Sequence, residues 1–137
     1  MADTPLHFKT IVEMASLIES KALSPVEVTE SALERINQQD PQYKSYATVM
    51  ADPARASARA AEQAIAAGNY LGPLHGVPIA VKDLCFTRGV ATMGATKALM
   101  DHVPDFDCTV VQRLNAAGAV ILGKLNLTEG AMAGYNP

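Results

Sequence analysis

Val77, Pro78, Ile79, Ala80 and Val81 run without a polar side chain directly into Lys82 and Asp83. Five apolar residues are too few for an ordinary helix and about right for a strand. A strand with no polar face calls for cover on both sides. Pro78 is tolerated near its start, where a missing ladder donor costs least. This segment therefore demands a sheet with further layers on it. It also poses a chemical question. Delivering Lys82 from the interior is costly, because burial disfavours the ammonium and lowers its pKa. A lysine that is neutral near pH 7 is a base. The competing reading is a surface lysine paired with Asp83, since lysines are almost never fully buried. Successive strand side chains point to opposite faces. If the strand persists through Asp83, the carboxylate turns away from the ammonium and does not hold it charged.

The flanking sequence supplies the layers. Thr10 followed by Glu13 reads as a capping box, and Ile11, Met14, Leu17 and Ile18 then share one helical face. Ser24, Pro25 and Glu27 combine a serine cap, a proline at the first helical position and an acid three residues after the cap. Val28, Ala32, Leu33 and Ile36 give that second helix its apolar side, and Asp40-Pro41 is expected to end it. Two consecutive amphipathic helices predict a helical hairpin over 1–40. Residues 46–50 read as a strand. Asp52-Pro53 opens an alanine-rich helix running to about Ala67 and stopped by Gly68. Asp107 is expected to cap a helix over 108–117 with Gly118 behind it. Val120-Ile121-Leu122 is then a short buried strand. The order α-α-β-α-β-α-β predicts an α/β fold, with helices layered on a mixed sheet.

Composition removes several classes of function. The net charge is −3 with no basic run, which argues against nucleic acid and anionic membrane as partners. Cys85 and Cys108 form neither a disulfide framework nor a metal site, and read as small core residues. His7, His75 and His102 fall in unrelated loops without ligand spacing, so no metal is expected. The start, Met1-Ala2-Asp3-Thr4-Pro5, lacks a basic segment leading into an apolar one, and no stretch approaches a membrane span. A cytoplasmic location is the resulting expectation. Aromatic content is 5% with no Trp, and much of the apolar total is alanine, so a thin core is expected.

Three motifs carry a resemblance. Gly-Pro-Leu-His-Gly-Val-Pro-Ile-Ala-Val-Lys-Asp (72–83) resembles the segment bearing the catalytic lysine of the amidase signature family. Asp-Cys-Thr-Val-Val-Gln-Arg-Leu (107–114) resembles that family's next helix. Gly-Ala-Val-Ile-Leu-Gly-Lys-Leu-Asn-Leu-Thr-Glu (118–129) resembles its following strand and Asn-x-x-Glu turn. The motifs come in the family's order at similar spacing, and the likeness covers about 24–137. It implies that Lys82 is the base of a Ser–Ser–Lys relay that cleaves amide bonds through an acyl-enzyme, without a cofactor. It also implies that the nucleophilic and bridging serines lie in a Gly/Ser-rich stretch beyond the position matching Pro137. None of Ser16, Ser20, Ser24, Ser31, Ser45 and Ser57 matches those roles. On this reading, 1–137 is an incomplete N-terminal portion of a single amidase-like domain. It comprises a helical hairpin (1–40) and an α/β portion carrying the lysine (41–137). Gly134 to Pro137 reads as the middle of a loop. The segment alone is expected to be inactive, its partner being the remainder of the amidase chain.

The family places 126–132 beside the substrate. Ala131 and Met132 are therefore candidate substrate-binding residues, and Glu129 is expected to be structural, bonding nearby backbone N–H groups. Relatives commonly carry a bulky residue after the glutamate, whereas this chain has Gly130 and Ala131, which suggests a roomier channel. Gly89 and Gly94 fall in a loop the family keeps near its active site, although plain loop glycines are an equal reading. The substrate class is a small-molecule amide, carbamate, ester or anilide, and a homo-oligomer is possible. Two alternatives stay open. The chain could belong to a tRNA-linked amidotransferase as one of its subunits, or be a non-catalytic truncated amidase-like interaction module. A Schiff-base lysine is a weaker third.

Overall fold

The computed structural model describes residues 4–132. The expectations for the first three residues and for Gly134 to Pro137 lie outside the described residues. The elements follow the predicted order: α1 (Ile11–Glu19), α2 (Pro25–Tyr43), β1 (Tyr46–Val49), α3 (Ala51–Ala66), β2 (Pro78–Lys82), α4 (Thr109–Ala116) and β3 (Val120–Leu125). Short 3-10 turns lie at Leu6–Phe8, Lys97–Leu99 and Glu129–Ala131.

Local chemistry sets the helix starts. Thr10 and Glu13 complete a reciprocal capping box at α1. The Ser24 hydroxyl accepts the N–H groups of Val26 and Glu27 and also donates to Glu62 on α3, so one cap tethers two helices. Two boundaries differ from expectation. Helix α2 continues through Pro41 to Tyr43, where Lys44 turns left-handed at φ 49°. The proline falls in the last turn and forfeits a single intrahelical bond. Asp40 then accepts the N–H groups of Ser45 and Tyr46 at 2.6 and 3.2 Å, steering the chain into β1. At α4 the N-cap is Cys108, without a side-chain bond. The Asp107 carboxylate is committed instead to the Arg88 N–H at 2.7 Å.

The sheet has the order β1-β3-β2, with β1 antiparallel and β2 parallel to β3. Central β3 is buried from Val120 to Lys124, whereas on edge strand β2 only Val81 is buried. Among the described residues β2 pairs with β3 alone, and Pro78 stands at its first position, where a missing ladder donor costs least. Helices α2 and α3 pack together on the sheet, joining Leu33, Ala54, Ala58, Val120 and Leu122. Alanines on α3 permit that close approach. Helix α1 seats Ile18 against Leu23, Val28, Ile65 and Val77. A smaller cluster of Val81, Val111 and Ile121, flanked by Cys85 and Cys108, fixes α4 beneath the end of β2. Each fully buried Val, Leu or Ile contributes about 1.5–3 kcal/mol, so these small clusters account for much of the cohesion.

Candidate active site around Lys82

Lys82 closes β2 and Asp83 begins the turn that follows. Their side chains part, although the strand ends at Lys82 and alternation does not extend to Asp83. The Lys82 ammonium is exposed and donates to the Asn126 carbonyl at 2.8 Å. Asp83 is 1% exposed and faces inward, where its Oδ1 lies 3.3 Å from the ammonium of Lys124. That ammonium also donates to the Thr92 hydroxyl at 2.7 Å. The contact with Oδ1 is an ion pair without hydrogen-bond alignment. The lysine delivered into the interior is therefore Lys124 on β3, not Lys82. Lys124 is fully buried; Lys82 stands open to solvent among the described residues. The parallel register accounts for this. Val81 pairs with Lys124 and Lys82 with Leu125, so Lys124 shares the buried face of Val81 and Lys82 takes the other.

Asp83 is held at every polar position. Its N–H donates to Leu125 O at 2.9 Å, its Oδ2 accepts the Met93 N–H at 3.0 Å, and its carbonyl accepts the Gly94 N–H at 3.1 Å. Gly94 O in turn accepts the Gly130 N–H at 3.0 Å. The loop glycine singled out in the sequence thus stitches the segment after β3 to the turn after Lys82. Asn126 ties in the start of β1 as well, through N–H to Ser45 O and side-chain amide to Lys44 O, at 2.8 and 2.7 Å.

Ala131 and Met132 sit one and two residues beyond Gly130 in the turn so attached, and both are exposed. Gly130 and Ala131 adopt φ of 59° and 58°. Glycine does so freely; alanine does so at a cost of roughly 1–2 kcal/mol. A bulky residue in place of Gly130 would add the same cost at a second position. Glu129 is exposed and opens the short 3-10 turn Glu129–Ala131.

The thiol of Cys85, three residues after Lys82, is pushed up by burial and by neighbouring Cys108. A thiol so placed is a poor nucleophile. His75 is buried, accepts the Leu71 N–H at 3.2 Å and has its pKa lowered by burial, which is the behaviour of a structural imidazole. An apolar groove of about 290 Å³, lined by His7, Ile36, Tyr43 and Tyr46 among others, does not include Lys82. Sequence reasoning passed over Lys124 and Thr92. A usable signal was present: two apolar runs, 77–81 and 120–123, each end in a lysine, and a carboxylate, Asp83, follows only the first.

A lysine at the end of a β-strand, parted from its neighbouring carboxylate and anchored on the turn after the next strand, defines a class of lysine-bearing α/β site. The family comparison gives it a place. The Amidase family profile matches residues 27–136, and the chain belongs to the amidase signature family. AmiD of Mycobacterium tuberculosis, whose own amidase name is provisional, is 56% identical over 127 residues, covering 93% of this chain and 27% of that protein. The GatA-type component of glutamyl-tRNA(Gln) amidotransferase from Methylococcus capsulatus is 45% identical over 131 residues, covering 96% and 27%. Among solved structures, the native peptide amidase of Stenotrophomonas maltophilia superposes with a TM-score of 0.85 at 31% identity, covering 91% of this chain and 26% of that one. The chain thus spans about a quarter of the length of these relatives. No helix among the described residues is long and apolar enough to cross a membrane.

Proposed function

We propose that these residues are one portion of a single-domain amide hydrolase of the cytoplasm, in which Lys82 is the base of a Ser–Ser–Lys relay. The observation that carries this reading is the separation of Lys82 from Asp83. The carboxylate is occupied by Lys124, and the Lys82 ammonium keeps one backbone acceptor and an open side. Neutral Lys82 takes a proton from a bridging serine, which takes one from the nucleophilic serine. The alkoxide adds to the amide carbonyl. The tetrahedral adduct expels the amine, which leaves with the proton returned by the relay. Water then enters by the same proton path and releases the acid. Both serines belong to the remainder of the amidase chain, which is the partner this portion needs. No cofactor enters the cycle. Ala131 and Met132, attached to the lysine turn through Gly130 and Gly94, line the approach of a small-molecule amide or carbamate.

A second reading is a component that releases ammonia for a tRNA-linked amidotransferase. It is favoured by the 45% identity to such a component over 96% of the chain. The two share the relay and differ in the need for partner subunits.

The test is Lys82→Ala in the whole protein, assayed on simple amides, anilides and glutamine. The expected outcome is a native fold with turnover reduced about 10²–10⁴-fold. Retention of most activity overturns the assignment. Hydrolysis of glutamine only in the presence of partner subunits would select the second reading.

A further inference from the structure

A fully buried lysine in the central strand needs an explanation that stability does not supply. Burying an ion pair costs several kcal/mol of desolvation per ion, and well-packed apolar substitutes are often as stable or more so. If cohesion were its purpose, Lys124 together with Asp83 could be apolar at little cost. What it touches suggests another purpose. Its ammonium meets Asp83, the residue next to Lys82, and Thr92, which precedes the Met93 and Gly94 N–H groups bonded to Asp83. One cation thus fixes both ends of the 83–94 loop whose first residue follows Lys82.

We propose that Lys124 is a positioning residue for Lys82. It holds the Asp83 carboxylate inside the protein, keeps that charge off the neighbouring amine and locks the 92–94 segment against the lysine strand. Its consequence for turnover rests on the amidase reading above; its consequence for the Lys82 amine does not. The titratable groups on the surrounding elements are Asp83 on the same turn, Lys124 on β3, Cys85 three residues on, Glu129 in the turn after β3, and Asp40 and Lys44 at the end of α2, which share a groove with Asn126. Glu129 is exposed and Cys85 is held as the thiol by burial. Asp83 is therefore the nearest carboxylate along the chain. It lies in a turn, where strand alternation no longer constrains it, and its inward pose rests on Lys124 and the Met93 N–H. Without Lys124, an unpaired buried carboxylate gains by swinging toward solvent and the Lys82 ammonium.

Lys124→Met and the double variant Lys124→Met with Asp83→Asn test this in the whole protein. The amine of Lys82 is acetylated with limiting acetic anhydride across pH 6–11, and the extent is read by peptide mass spectrometry. In Lys124→Met the labelling midpoint of Lys82 is expected to rise by about one pH unit, the scale of a newly adjacent opposite charge. In the double variant it returns to the wild-type position. Turnover at neutral pH falls about tenfold in Lys124→Met with KM unchanged, and recovers in part in the double variant. Should Lys124→Met fail to fold, Lys124→Gln carries the same expectation, because it removes the cation while keeping a polar group for Thr92. An unshifted Lys82 midpoint in the folded single variant overturns the inference. A shifted midpoint in a protein that hydrolyses no amide supports it and counts against the functional reading instead.

Discussion

The Lys82 ammonium donates to the Asn126 carbonyl at 2.8 Å, and the side-chain amide of Asn126 reaches back to the Lys44 carbonyl at 2.7 Å. The lysine is thereby oriented by a neutral backbone dipole just past the strand next to its own. A carbonyl orients an amine without the charge of a carboxylate, which would favour the protonated form more strongly.

Lys82→Arg should therefore fail almost as fully as Lys82→Ala. The guanidinium can donate to Asn126 O, but it cannot lose a proton at working pH. Turnover in the whole protein should fall about 10²-fold or more, with a circular dichroism spectrum unchanged from wild type. An arginine variant that keeps most of its rate would show that Lys82 contributes charge and not basicity.

Gly118 is a structural vulnerability. Its φ is +76°, and a Cβ there would lie 2.3 Å from Cδ2 of buried His75. The Gly118 carbonyl also accepts the Gly76 N–H at 2.8 Å, so neither partner can retreat freely. Gly118→Ala combines overpacking of about 1–3 kcal/mol with left-handed strain. A melting temperature lowered by several degrees is expected. A change under about one degree would mean that the 72–76 turn yields more easily than its contacts imply.

Much of this fold was legible in the sequence because caps and strand runs are local. Thr10 with Glu13, and Ser24 with Pro25, mark helix starts through bonds made within three residues. The order of seven elements followed from such signals and holds in the structure. What was not legible depended on partners distant in sequence. Strands 77–81 and 120–122 read alike, and only the strand order makes one an edge and the other central. The bond from Arg88 takes Asp107 out of its capping role, and no helix-start rule anticipates a loop 19 residues away. The burial of Lys124 required the parallel register with Val81. At the site, alternation pointed to the parting of Lys82 from Asp83 only if the strand ran on through Asp83; it ends at Lys82, and the cation that receives Asp83 was not legible.

His75 gives stability a pH dependence with a definite sign. Burial lowers its pKa in the folded protein, so the folded state resists protonation while the unfolded chain takes a proton near pH 6.5. Between those two values the unfolded state binds more protons, and stability falls as pH drops. Its full contribution is present above about pH 6.5 and declines from there toward the depressed folded value. Carboxylates such as Glu13 and Glu30, whose folded pKa values are also lowered, add a decline at lower pH. The comparison with His75→Gln isolates the imidazole. Between about pH 7.5 and 5.5 the wild-type melting temperature should drop more steeply than the variant's. Equal slopes would show that His75 is not held neutral by the fold.

The last prediction concerns these 137 residues expressed alone. Strands β1 and β2 each leave one edge without a partner among the described residues, and a three-stranded sheet with open edges invites pairing with other chains. Around the lysine turn and α4, Leu84, Met100, Val103, Phe106 and Val110 are 48–60% exposed, a concentration of apolar surface that further chain would need to cover. The isolated segment should therefore aggregate or melt without a cooperative transition, and a fluorophosphonate probe directed at activated serines should leave it unlabelled. Co-expression with the remaining length of an amidase chain should rescue solubility. Heating the purified segment while following circular dichroism decides the matter. A monomer with a sharp transition well above room temperature would show that three strands and their helices already suffice as a folding unit, and the exposed apolar surface would then need another account.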